Sequence, residues 1–157
     1  MNVKDIETFF HEGEGYNPFL ISDGWQVAQL NFLPGHEPEN IKRVEVHLQT
    51  DEVFVLIKGK AVLITVVDPD GDFVTKCTAM ETGVTYNIPA GVWHNIAMDK
   101  NAQMIIVEKN NTHQNDVTYR VLNEHERNTL KTAMENVLAK YDGDGELFQS
   151  FLNMDKK

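Results

Sequence analysis

Two imidazoles and two carboxylates stand in this chain at spacings that could let them share one metal ion. Glu45 and His47 are separated by a single residue, and Glu52 follows His47 by five. His94 closes the later run GVTYNIPAGVWH, three residues after Gly91. Residues i and i+2 of a strand lie roughly 7 Å apart and point the same way. Metal–ligand bonds are about 2.1 Å, so two such side chains leaning together can hold one ion. A polar strand face is ordinarily a solvent face. Four possible ligands arriving near the starts of different strands ask for another explanation. Neutral nitrogen and anionic oxygen donors suit one divalent metal ion, manganese, iron, zinc or nickel, with positions left open for a substrate. Glu45 has two possible parts: a ligand, or, free of the ion, a general base beside it.

The elements that must position these residues are short strands. VEVHLQ (44–49) alternates strictly, with Val44, Val46 and Leu48 on one face and Glu45, His47 and Gln49 on the other. VFVLIK (53–58) and AVLITVV (61–67) are rich in β-branched and aromatic residues, and Gly59-Lys60 is the turn between them. DPDGD (68–72) joins the second to FVTKCTAM (73–80); VTYNI (84–88), WHNIAM (93–98) and QMIIVEK (103–109) follow. WQVAQLNFL (25–33) is an earlier strand, ended by Pro34-Gly35, and HEPENIK (36–42) reads as loop. Residues 13–24 carry several glycines and a proline and read as loop or irregular edge structure; residues 5–10 could make one helical turn. This pattern predicts an all-β sandwich or barrel.

The C-terminal part changes period. Asn123 and Glu126 resemble a capping box, and Leu130, Met134, Val137, Leu138 and Tyr141 recur at helical spacing. A helix over about 124–141 is expected, its apolar stripe against the barrel or a partner chain. DGDGE (142–146) breaks it, a short helix near Phe148 to Leu152 follows, and the last residues fray. Asp142, Asp144 and Glu146 do not make a twelve-residue calcium loop, because no glycine stands at its sixth position and Asn153 occupies its last.

Residues 45–59 and 83–94 resemble the two motifs of the cupin superfamily. The first motif of that family is His-x-His, three or four residues, Glu, six residues, Gly. Here it runs Glu45-x-His47, four residues, Glu52, six residues, Gly59. The second runs Gly, five residues, Pro-x-Gly, two residues, His, and Gly83, Pro89, Gly91 and His94 match it throughout. The resemblance covers about residues 30–109. Three positions depart from it: Glu39 stands where a leading glycine belongs, Glu45 replaces the first histidine, and Met98 replaces the closing asparagine. The resemblance implies a cupin-like double-stranded β-helix (jelly-roll) barrel with a C-terminal helical extension, one domain over residues 1–157. Its barrel core would be about 25–109 and its helical segment about 123–153. It also implies an ion near the barrel centre, held by His47, Glu52 and His94, with Glu45 where a further histidine ligand belongs.

Bulk properties narrow the function. The net charge of −10 opposes binding to nucleic acid and to anionic membrane surfaces. No apolar run is long enough to span a bilayer, and the first residues carry acids rather than a secretory signal. Cys77 is the only cysteine, so no internal disulfide forms; a cytoplasmic location is expected. With no basic partner beyond Lys76, Cys77 reads as buried rather than nucleophilic. His11, His36, His113 and His125 read as surface histidines, with His36 near enough to reach a cavity mouth. Lys58 and Glu108 read as exposed strand ends, Trp93 as packing between sheets away from His94, and Phe54 and Tyr86 as core or pocket wall. Both apolar strands 53–58 and 61–67 need cover on two faces, which favours a homodimer. The expected function is a metal-dependent isomerase, epimerase or lyase acting on a sugar, sugar acid or hydroxy acid. The alternatives are an iron(II) oxygenase and a non-catalytic barrel that binds or senses a small molecule.

Overall fold

Strands with apolar residues at every second position bury alternate faces, and the described residues form ten of them. The computed structural model describes residues 5–67 and 69–141. The strands are β1 (Gly15–Ile21), β2 (Gln26–Asn31), β3 (Arg43–Val46), β4 (Glu52–Lys58), β5 (Ala61–Val66), β6 (Thr75–Ala79), β7 (Thr85–Ile88), β8 (Trp93–Met98), β9 (Gln103–Glu108) and β10 (Thr118–Val121). Two short 3-10 turns, Pro34–His36 and Pro38–Asn40, fill the loop before β3. The helices are α1 (Thr112–Asn115) and α2 (Glu124–Tyr141). The strands form two antiparallel five-stranded sheets, ordered β1-β2-β9-β4-β7 and β10-β3-β8-β5-β6. Together they make a jelly-roll barrel, within the all-β sandwich or barrel that the strand pattern predicts and as the resemblance implies.

Leu30, Phe54, Leu56, Leu63, Met98 and Met104 fill the space between the sheets. A second core lies outside. Val62, Ile64, Val66 and Ala97 point away from the barrel and meet Leu130 and Met134 of α2, each 1% exposed. Trp93 joins this outer core rather than the space between sheets, because it is adjacent to His94 on β8 and so faces the other way. Cys77 packs there too, and burial pushes its thiol up to about 11, which leaves it protonated and inert. Asn123 and Glu126 cap α2 reciprocally: Glu126 N–H donates to Asn123 Oδ1 at 2.9 Å, and Asn123 N–H to Glu126 Oε2 at 2.8 Å. Gly59 makes the β4–β5 turn with φ of 77°, and a Cβ there would stand 2.4 Å from the Ala102 backbone nitrogen.

Residues 15–21, read as loop or irregular edge structure, form an edge strand that carries Pro18 and whose register slips between Asn17 and Leu20. Two expectations need correction and one strand is added. Residues 5–10 form no helical turn; they are exposed, with Phe9 stacked on Phe19. The strand expected over 44–49 stops at Val46, and Leu48 is 67% exposed. β10, whose four residues gave no clear signal, pairs with β3 and extends the sheet beyond residue 109. The break and short helix expected after 141 fall outside the described residues. No helix among the described residues is long and apolar enough to cross a membrane.

Leu130→Ala and Met134→Ala should each lower the unfolding free energy by about 2–5 kcal/mol, since each leaves a cavity under α2. Lys131→Ala, on the solvent side of α2 in a 3.9 Å pair with Glu135, should stay within about 0.5 kcal/mol of the parent. Urea denaturation followed by circular dichroism measures all three.

Candidate metal centre

Strand register brings the proposed ligands together from opposite sheets. In one sheet Glu45 of β3 lies directly across from His94 of β8 and from Tyr119 of β10. Even-numbered residues of β4 and β9 face inward in the other sheet. Glu52 and Glu108 stand one step past the Val53–Val107 pair, beside Gln26 of β2, which pairs with Glu108. His47 leaves β3 at its end and turns inward between them. His47, Glu52 and His94 are 6%, 5% and 2% exposed.

Glu52 is the hub. Its Oε2 lies 2.8 Å from His94 Nε2 and 3.4 Å from His47 Nε2. Both Nδ1 atoms are engaged elsewhere, each donating to a carbonyl: His47 to Asp116 O, and His94 to Val92 O at 2.8 Å. A carbonyl only accepts, so both Nδ1 atoms carry hydrogen and both Nε2 atoms face the site. This is the orientation a metal-binding histidine needs. Possible ligand atoms of Glu45, His47 and His94 all lie within 4.8 Å of one another, and so do those of His47, Glu52 and Glu108. These are two overlapping groups of three that share His47, each with nitrogen and carboxylate donors suited to a divalent ion.

The loops are fixed by few bonds. Gly91, with φ of 82°, gives its N–H to His47 O at 2.7 Å, tying the Pro-x-Gly turn to the other half of the site. Asp51 accepts from Ala90 N–H at 3.0 Å and from Asn87 Nδ2 at 2.9 Å. Asp116 accepts from Leu48 N–H at 2.9 Å and Gln49 N–H at 2.7 Å, and so holds the chain around His47.

A cavity of about 300 Å³ opens over the site. Leu30, Phe54, Ile96 and Ile106 wall it, and the Phe54 ring meets His94 edge-on at 6.4 Å. Tyr86 belongs to the core instead, packed on the inner cluster with its hydroxyl accepting from Glu81 N–H. Arg43 lies at the exposed end, its guanidinium 3.8 Å from the centre of the Tyr119 ring. His36 also lines the cavity, with a buried Nδ1 that has no hydrogen-bond partner among the described residues. Two expectations are overturned. Glu108 is 6% exposed rather than a solvated strand end, because even-numbered β9 residues face inward. His113 lines the cavity rather than the surface, since α1 folds back beside Tyr16. His125 and Lys58 are exposed, as expected. Asn95 donates to the Arg43 carbonyl at 2.6 Å and supports the neighbouring strand, not His94.

Burial alone would lower His47, but the hydrogen bond with Glu52, the bond to Asp116 and nearby carboxylates hold it up at about 9. Burial likewise opposes charge on His94, and Glu52 overrides it, raising the ring above its usual range. Burial would raise Glu52, but its two imidazole partners outweigh that and hold its carboxyl low. Glu45 and Glu108 are both raised, by burial first and then by the charge of Glu52.

A pH dependence follows for metal-free protein. Folded His47 keeps its proton up to about pH 9, and an unfolded histidine only up to about 6.5. The pairing with Glu52 therefore contributes stability fully below pH 6.5 and loses it as pH rises through 9. The melting temperature of metal-stripped protein should fall across that window, and Glu52→Gln should flatten the fall. A wild-type melting temperature that stays level there would contradict the pairing.

No protein-family model matches the sequence, and neither does any curated protein. Solved structures do match in fold. A Bacillus halodurans protein superposes with a TM-score of 0.50 at 14% identity, over 69% of this chain and 78% of that one. A variant of the oxalate decarboxylase of Bacillus subtilis gives 0.50 at 18% identity, over 68% of this chain and 28% of its own. A cupin-2 domain protein of Shewanella frigidimarina gives 0.46 at 22% identity, over 64% and 84%. The matched part spans 42% of an oxalate oxidase chain, under half that length. These matches, all under 25% identical, share with this chain the fold alone, the two-sheet antiparallel barrel.

Proposed function

We propose that this chain binds one divalent ion through His47, Glu52, His94 and Glu45 and uses it in isomerase, epimerase or lyase chemistry on a small polar substrate. The carrying observation is the convergence of two correctly oriented Nε2 atoms on one buried carboxylate. When bound, the ion supplies Lewis acidity toward a substrate carbonyl or hydroxyl. The residues do the rest. Glu45, if it stays free of the ion, has a raised carboxyl suited to take a proton from substrate and return it. Apolar walls at Leu30, Phe54, Ile96 and Ile106 keep water from the reacting centre. Among the described residues Arg43 is the one permanent cation lining the cavity, and it forms no ion pair with a described carboxylate. That favours a sugar acid or hydroxy acid over a neutral sugar, the acid group resting at the rim.

Purified protein should carry about one divalent metal per chain. His47→Ala and His94→Ala should each abolish binding, because each removes a neutral nitrogen donor. Glu45→Gln separates its two roles: loss of metal makes Glu45 a ligand, and retained metal with lost turnover makes it the base. Activity is to be sought on a panel of sugar acids and hydroxy acids while oxygen is monitored. Oxygen uptake would replace this reading with an iron(II) oxygenase. Elemental analysis that finds no metal after reconstitution would leave a non-catalytic binding barrel.

We also infer a homodimer. α2 covers the outer face of the sheet containing β5, but the other outer face keeps an apolar stripe. Val27, Val53, Val55, Ile105 and Val107 align across β2, β9 and β4 and are half-buried, and Ile57 beside them is 44% exposed. Such a stripe on a sheet face suits a second copy of itself. Light scattering should give about twice the 17.9 kDa chain mass, and Val55→Lys with Ile105→Lys should return it to one chain.

A further inference from the structure

We propose that Glu108 is a further ligand of the ion, alongside His47 and Glu52, and that its carboxylate biases the site toward an oxygen-preferring ion such as manganese(II) or iron(II). The inference rests on the metal reading above and extends it to the donor set and the class of metal.

Four observations carry it. Glu108 faces the barrel interior beside Glu52, one step past a paired Val53 and Val107. A carboxylate oxygen of Glu108 lies within 4.8 Å of ligand atoms of His47 and Glu52. Its two oxygens have different surroundings: Oε1 accepts from Tyr16 Oη and from Gln26 Nε2 at 2.9 Å, and no described residue hydrogen-bonds Oε2. Gln26 is itself held, accepting from Asn111 N–H at 2.7 Å. One oxygen anchored by donors and the other left toward the cavity is how proteins orient a ligating carboxylate. The fourth is position: Glu108, 6% exposed overall, lines the same cavity as His47, Glu52 and His94.

The count of donors has a chemical consequence. Zinc is satisfied by four ligands in a tetrahedron, and its protein sites favour nitrogen and sulfur. A donor set richer in carboxylate oxygen would instead favour an ion that accepts oxygen donors readily. Glu45, standing in the place of a histidine, shifts the set in the same direction.

The test compares wild type, Glu108→Gln, Glu108→Asp and Tyr16→Phe by calorimetric titration with Mn²⁺ and with Zn²⁺. The electron paramagnetic resonance spectrum of bound Mn²⁺ is recorded alongside. Glu108→Gln should weaken Mn²⁺ by about tenfold or more and Zn²⁺ by less than about threefold, with an altered Mn²⁺ spectrum. Glu108→Asp, which keeps the charge and shortens the reach, should weaken Mn²⁺ in the same sense and serves if the glutamine variant does not fold. Tyr16→Phe removes only an anchor and should change Mn²⁺ affinity less than Glu108→Gln. Mn²⁺ affinity within about twofold of wild type, with an unchanged spectrum, would make Glu108 a structural acceptor and overturn the proposal. Equal loss of both metals would overturn the preference for an oxygen-loving ion. If His47→Ala loses metal and Glu108→Gln does not, only this inference fails. If wild type binds neither metal, the metal reading itself fails.

Discussion

A single carboxylate, Glu52, holds the two sheets in register at the centre of the barrel. It comes from β4 in one sheet, and its partners His47 and His94 come from β3 and β8 in the other. A charge at 5% exposure is tolerable only when its partners are close and well oriented. Much of the surrounding structure can be understood as meeting that condition. The Nδ1 bonds to Asp116 and Val92 set the imidazole planes, and the Gly91 bond to His47 O sets the distance between the two motif loops. The apolar wall around the trio then strengthens each interaction by excluding water.

The same arrangement separates the mechanical and chemical faces of one sheet. On β8, His94 and Ile96 point inward while Trp93 and Ala97 point out to the cluster under α2. The helix packs on the back of the sheet that carries His94 and Glu45. A rigid backing of this kind fixes ligand positions better than a loop would, because interior packing resists small displacements.

Legibility in the sequence followed periodicity and spacing. His47, Glu52 and His94 were readable because each sits at a fixed offset from a turn residue, and the register of β3 against β8 then follows. α2 was readable to its described ends because Leu130, Met134 and the Asn123–Glu126 cap are local signals. Glu108 was not, because a carboxylate at the end of a strand looks the same in sequence whether it faces water or a barrel. One signal was available: counting inward from Met104 and Ile106 in QMIIVE places Glu108 on the same face. His113 and Asp116 had no such signal. Their role depends on where the chain travels after β9, and only tertiary contacts decide that. Pro18 and its neighbouring glycines marked residues 13–24 as loop or irregular edge structure, and β1 is such an edge strand, because an edge accommodates a proline and a central strand does not.

Asp116 lies outside both motifs, yet its carbonyl and carboxylate make three hydrogen bonds to residues 47–49. Whatever fixes His47 therefore also fixes the segment between α1 and β10, and the dependence is mutual. In thermodynamic terms the end of the barrel and its centre share one coupling free energy, and ligation at one must tighten the other by an equal amount. The stretch 112–121 is thus a built-in reporter. Its amide protons, though distant in sequence from every carboxylate of the two motifs, would exchange with solvent at rates that record whether the centre is filled.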